Sequence, residues 1–263
     1  MNRLNGQNAH KYKVLLTNDD GFYAEGLQVL ATALEEVADV FILAPESNRS
    51  GVSSHIEMRE PLTVTKIAEN RFTSSGHPAD CVIGAMRSDL FGGVKFDAVI
   101  AGINRGPNMG TDCIYSGTIA AARQAVLYGV PGIALSVKSP GGDYADGGYN
   151  YSGMSQFVKK NLAVLISLYE KDCVVSVNAK SAEKYSAVKF TKLCSRDYKD
   201  RIELEEKNDG TLKSTFLGGE LTTDGPDCSE HDAVDSGLVA ITRVRAAPVD
   251  FEPSAEQFAD FVF

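Results

Sequence analysis

Two adjacent aspartates, Asp19 and Asp20, stand between an apolar run at residues 14–17 and Gly21, in the stretch KYKVLLTNDDGFYAEGLQVL. Neighbouring carboxylates repel each other, and a positive charge placed between them relieves the repulsion. Two further polar segments supply oxygen donors. One is PESNRSG, with Asn48, Arg49 and Ser50; the other is GINRGPNMGTDCIYSGT, residues 102–118, with Asn104. Carboxylate, hydroxyl and amide oxygens suit one hard divalent cation such as Mg²⁺ or Mn²⁺, whereas zinc favours His and Cys. The expected metal ligands are therefore Asp19, Asp20, Ser50 and Asn104. Turn or helix-capping roles are the alternative, because Asn, Asp and Gly are common there. A pair of aspartates at a strand end, beside two more polar strand-end loops, favours the metal site.

The third segment ends in Tyr115-Ser116-Gly117-Thr118 and runs into a helical pattern. A helix N-terminus offers free N–H groups and a positive dipole end to an anion. Ser116, Gly117 and Thr118 are expected to cradle a phosphate, with an ordinary Ser/Thr cap as the alternative. Asn18 and Asn48, in the first two loops, are expected as substrate contacts. A hard metal facing a phosphate cradle points to metal-assisted hydrolysis of a phosphoester. The expected catalytic residues are Asp19, Asp20 and Asn104. Asn104 and backbone N–H groups would stabilise developing charge, and Asp19 rather than Asp20 would position or deprotonate the nucleophile.

These loops need strands and helices to hold them. Buried strand runs at 14–17, 40–44, 98–103 and 132–137 alternate with helical periods at 26–38, 79–91 and 119–128. A short hairpin is expected over 62–67 and 71–75, turning at Glu69 and Asn70. This order predicts an α/β fold, a mostly parallel sheet with helices on both faces. Ligands of such sheets bind beyond the carboxyl ends of the strands, where all three polar segments fall. A fourth strand-end loop carries Lys138 and Ser139. Beyond it come a glycine-rich loop, a long helix over 154–169 and a strand over 174–177. Strands are expected over 187–193, 202–205, 212–216 and 238–244, and Asp209-Gly210 signals a two-residue hairpin turn. Such a β-rich excursion on an α/β core suits an oligomerisation or lid element.

The 263 residues carry 35 acidic and 26 basic side chains, a net charge of -9, which argues against nonspecific nucleic-acid binding. Five scattered cysteines form no C-x-x-C pair, which fits a reducing compartment and buried thiols. No apolar run reaches the length of about 18 residues that a membrane span needs. The four histidines show no ligand spacing, and Asp80, after Pro78, suits the first turn of a helix. Arg49 fits a phosphate contact and a surface position equally. A cytoplasmic protein without nucleic-acid or membrane partners is expected. The expected organisation is a disordered leader at 1–12, a core at 13–180, and a β-rich extension with a last core strand and a C-terminal helix at 181–263.

The stretches VLLTNDDGFYAEGLQVLATAL, APESNRSGVSS, GHPADCV and VIAGINRGPNMGTDCIYSGTIAAARQAVLYGVPGIALS resemble the SurE (stationary-phase survival protein) nucleotidases, over roughly residues 13–137. The resemblance implies a Rossmann-like core and a metal-dependent 5′-nucleotidase acting on nucleoside monophosphates, in some members also on short polyphosphate. It implies one divalent ion per subunit, held by Asp19, Asp20, Ser50 and Asn104, and phosphate contacts at residues 115–118. It also implies a homodimer or homotetramer built through C-terminal extensions. The chain departs from the family at Ala24-Glu25-Gly26 (family A-P-G) and Gly76-His77-Pro78 (family G-T-P). Further departures are Ser176, Asn178 and Lys180 (N-x-N-x-P), residues 229–234 (T-D-x-x-A-V) and 240–243 (S-I-T-P). Two other classes compete. A phospho-acceptor receiver module would need an aspartate where Asn104 stands, and Lys138 alone fits it. A noncatalytic nucleotide-binding module would be expected to lack metal ligands, and none is missing.

Overall fold

The computed structural model describes residues 11–143 and 147–249. The first strand, β1 (Tyr12–Thr17), is made of residues that bury on both faces: Val14 and Leu16 point to one side, Leu15 to the other, and all three are fully buried. Each such leucine contributes about 2 kcal/mol of apolar burial. The chain continues through α1 (Glu25–Leu34), β2 (Ala38–Pro45), β3 (Val64–Ala68), β4 (Arg71–Ser74) and α2 (Pro78–Arg87). Next come β5 (Ala98–Arg105), α3 (Asp112–Tyr115), α4 (Gly117–Leu127), β6 (Gly132–Lys138), α5 (Ser152–Ser167) and β7 (Cys173–Lys180). The extension supplies β8 (Val188–Thr191), β9 (Ser195–Asp197), β10 (Arg201–Glu206), β11 (Leu212–Gly218), β12 (Thr222–Asp224), α6 (Glu230–Asp235) and β13 (Val239–Arg245).

Nine strands form one sheet in the order β3-β4-β2-β1-β5-β6-β7-β13-β8. The six strands from β4 to β7 are parallel, while β3 and β13 run antiparallel to their neighbours β4 and β7. Core residues of α1 and α5 cover one face, and those of α2 and α4 cover the other. The expected α/β fold is present. The strand order reverses at β1, which lies between β2 and β5, and this is where a crevice opens at the strand ends.

Several boundaries differ from expectation. The first helix stops at Leu34 because Ala38 already pairs with Tyr12 in the sheet. The glycine-rich segment after β5 contains a helical turn, α3, and the extension contains β9, β12 and α6, all too short for a period to register. The β10–β11 turn is a three-residue loop closed by Lys207 and Thr211, with Gly210 at φ 80°, instead of a two-residue turn. Cys81, Cys113 and Cys194 are buried as expected, whereas Cys173 is partly exposed and Cys228 exposed. The expected leader falls largely outside the described residues, and Tyr12 already belongs to β1. The expected C-terminal helix also lies outside them. Among the described residues, no helix is long and apolar enough to cross a membrane.

Candidate metal centre and substrate cleft

The loop after β1 is shaped before it can bind anything. Gly21 sits at φ 105°, and a Cβ there would stand 3.1 Å from the Ser47 carbonyl carbon. Asn18 clamps the turn: its Nδ2 donates to Gly21 O at 2.8 Å, and its Oδ1 accepts the Gly21 N–H at 3.2 Å. Asn18 is fully buried with both ends of its amide in use. It clamps the loop in which a substrate contact was expected. Asn48 acts similarly in the next loop, where its Oδ1 accepts the Ser50 N–H at 2.8 Å.

Asp19 lies at the N-terminus of α4. The Thr118 hydroxyl donates to Oδ1 at 2.5 Å, and the Thr118 N–H donates to Oδ2 at 3.2 Å. The Gly117 N–H also favours its ionised form. A Cβ on Gly117 would stand 2.8 Å from Asp19 Cβ, so the helix begins with glycine where the carboxylate packs. Thr118 therefore holds Asp19 through its hydroxyl and its N–H, so a carboxylate of the chain sits at the positive end of the helix, beside the residues expected to contact a phosphate. Ser116 is the helix cap, accepting the Ile119 N–H at 3.0 Å, and it lines the adjoining cleft.

Asp20 accepts the Arg105 N–H at 3.0 Å. Burial, and then the charge of Asp19, push its carboxyl up to about 7. The Arg105 side chain opposes this with a smaller effect. Burial also raises Asp19, outweighing its bonds to Thr118. The pair thus carries excess negative charge in a partly desolvated place. Asn104 donates Nδ2 to Gly106 O at 2.9 Å, and its Oδ1 accepts no hydrogen bond among the described residues. The Ser50 loop is tied to the same centre, because the Arg49 N–H donates to Asp19 O at 2.7 Å. Two repelling carboxylates, an unused amide oxygen and an exposed hydroxyl fit a hard cation by charge and by donor type.

Asp19, Ser50, Asn104 and Ser116 share a cleft of about 1040 Å³ with Tyr198 and Phe216 of the extension. Buried ion pairs fix that extension to the α3 loop. Arg196, 4% exposed, pairs through Nη1 with Asp112 at 3.1 Å and through Nη2 with Asp143 at 2.9 Å. The Tyr198 hydroxyl donates to Asp112 Oδ1. Glu230, fully buried, accepts the Gly110 N–H at 2.6 Å and the Thr242 hydroxyl at 3.0 Å. Asn108 and Asn178 exchange two hydrogen bonds, at 2.9 and 3.0 Å. Sequence reasoning missed Asp112, Arg196, Tyr198 and Glu230. Their partners lie tens of residues away, and no local spacing marks them.

Other expected candidates are accounted for structurally. Arg49 donates to Ser75 O at 2.9 Å. Asp80 accepts the N–H groups of His77 at 2.9 Å and Glu57 at 3.0 Å. Lys138, the one residue matching a receiver module, is paired with Asp235 at 2.7 Å and Asp143 at 3.2 Å.

A family model described as Survival protein SurE matches residues 14–200. The chain is 40% identical over 188 residues to a protein of Treponema pallidum (strain Nichols) named 5′-nucleotidase SurE, covering 70% of this chain and 99% of that one. It is 37% identical over 242 residues to a protein of the same name from Desulfitobacterium hafniense (strain DSM 10664 / DCB-2), covering 90% and 92%. Among solved structures, it matches the SurE protein from Aquifex aeolicus with a TM-score of 0.76 and 28% identity, covering 90% of this chain and 95% of that one.

Proposed function

Since this chain belongs to the SurE family, we propose that it is a metal-dependent 5′-nucleotidase that hydrolyses nucleoside monophosphates to nucleoside and phosphate. One observation carries the reading for this chain: two mutually repelling carboxylates at a strand end, Asp19 buried and Asp20 half-buried, beside an amide oxygen without a partner among the described residues. In this reading Asp19, Asp20, Ser50 and Asn104 hold one divalent ion per subunit, Mg²⁺ or Mn²⁺. Such an ion, when bound, polarises a phosphoryl oxygen and acidifies water.

The chain's own residues do the positioning. Thr118 and Gly117 fix the Asp19 carboxylate, and the Arg105 N–H fixes that of Asp20. Gly106 holds the Asn104 amide by its nitrogen end, which presents Oδ1 as the ligand atom. Ser116, at the start of α4, lines the cleft beside Asp19, and Tyr198 and Phe216 of the extension form part of its wall. A cytoplasmic homodimer or homotetramer and activity on short polyphosphate are part of the same proposal.

The test is phosphate release from 5′- and 3′-nucleoside monophosphates and short polyphosphate, first with chelator and then with Mg²⁺ or Mn²⁺ restored. Release that returns with metal and favours 5′-monophosphates supports the reading. Tight nucleotide retention without release under any metal overturns it in favour of a noncatalytic binding module.

A further inference from the structure

A nucleoside monophosphate anchored by its phosphate among Asp19, Ser50, Asn104 and Ser116 must place its base in the rest of the cleft. A volume of about 1040 Å³ accommodates it. The outer part of that cleft has a distinct chemistry. Tyr115, on α3, is 57% exposed, and Phe216, on β11, is 64% exposed; both line the cleft. Phe216 is set opposite Ile202 by the β10–β11 register. The Tyr198 hydroxyl is already spent on Asp112. Of the charged lining residues, Asp19 belongs to the metal centre and Asp112 is engaged by Arg196 and Tyr198, which leaves Arg105 and Asp200. The wall therefore offers ring faces and little to read the edge of a base.

The smaller neighbouring cleft, of about 440 Å³, suits a base less well. Asp20, Glu25 and Arg105 line it. Its ring, Tyr149, is partly buried against the core, carries the Arg105 guanidinium at 5.5 Å and stacks on Tyr151 at 5.9 Å.

We propose that Tyr115 and Phe216 form an aromatic slot that holds the substrate's nucleobase by stacking, so that the β10–β11 hairpin is a substrate-binding element. The slot accepts purines and pyrimidines alike, because every base presents a π-face. This inference rests on the phosphomonoesterase reading above.

The experiment compares the parent protein with Phe216→Ala, Tyr115→Ala and Phe216→Trp. KM is measured for adenosine 5′-monophosphate and for ribose 5-phosphate, which carries no base, and adenosine affinity is measured by calorimetry. Each alanine variant is expected to raise KM for the nucleotide by about tenfold and to weaken adenosine equally. In Phe216→Ala ribose 5-phosphate keeps its KM, and Phe216→Trp, which retains a ring face, recovers nucleotide and adenosine binding relative to Phe216→Ala. Unchanged nucleotide KM in both alanine variants, or an equal rise for ribose 5-phosphate, overturns the slot. If the parent hydrolyses neither substrate, the phosphatase reading fails and the adenosine titration alone decides. Adenosine binding that Phe216→Ala weakens upholds the slot; equal affinity, or no binding by the parent, overturns it.

Discussion

Thr118 holds the Asp19 carboxylate with two donors, its hydroxyl at 2.5 Å and its backbone N–H at 3.2 Å. The start of α4 thereby serves a carboxylate of the chain, which in turn faces the cleft. In the proposed reading, the helix end orients a metal ligand and acts on substrate through it.

Thr118→Val removes the side-chain donor and keeps the shape. Apparent metal affinity is expected to fall about tenfold or more, since groups that orient metal ligands typically contribute 10–100-fold. Thr118→Ser should restore it. Titrating Mg²⁺ and Mn²⁺ against turnover in both variants checks this, with a thermal melt to show that the fold is unchanged.

Gly117→Ala sets helix propensity against packing. Alanine favours a helix interior by about 1 kcal/mol over glycine. Here its Cβ would meet Asp19 Cβ at 2.8 Å, Asp19 Oδ2 at 3.0 Å and Pro78 Cγ at 3.1 Å. The carboxylate must move, so turnover is expected to fall at least about tenfold, because small misplacement of a reacting constellation is costly. Steady-state rates beside a melting curve separate the two effects: activity drops far more than stability.

Arg196 joins the buried carboxylate Asp112 and the half-buried carboxylate Asp143. Arg196→Met leaves both without this partner. Loss of one member of a buried pair typically costs about 3–5 kcal/mol, and urea denaturation should show a drop of that order. Arg196→Lys is expected to recover part of it, since a lysine restores the charge without the planar fork.

Glu230 contributes to the pH dependence of stability, beside Asp19, Asp20 and Asp112, whose carboxyls burial also raises. Burial raises its carboxyl above the ordinary 4.5, even though Gly110 and Thr242 donate to it. The folded state then binds a proton that the unfolded state has released. Its contribution to stability is present in full below pH 4.5 and is lost as pH rises through the raised value. Glu230→Gln keeps an acceptor for Gly110 and places an amide donor beside Thr242. Melting temperatures across pH 4 to 9 should fall more steeply in the parent than in this variant; parallel curves would refute the assignment.

Much of this was legible in the sequence where physics is local. The runs at 14–17 and 98–103 read as buried strands because every residue is apolar or small, and they became the central pair β1 and β5. Asp19, Asp20 and Asn104 could be gathered because strand ends of a parallel sheet share one edge. The clamp that Asn18 puts on its loop was not legible, because an amide that clamps a turn and one that binds a ligand look the same in sequence. The bond from Thr118 to Asp19 was not legible, because nothing near position 118 shows that a carboxylate 99 residues earlier reaches the helix end. Arg196 and Glu230 were invisible because their polar partners come together only through the tertiary fold.

The most direct test of the account is hydrolysis of adenosine 5′-monophosphate by Asp19→Asn, with Mg²⁺ or Mn²⁺ supplied and the fold checked by circular dichroism. The substitution keeps the size of the side chain and removes its charge. The account predicts a folded protein that binds the metal poorly and releases no phosphate above the chelated control. A variant that turns over at the parent's rate, with the parent's metal requirement, would contradict the placement of the metal on the Asp19–Asp20 pair.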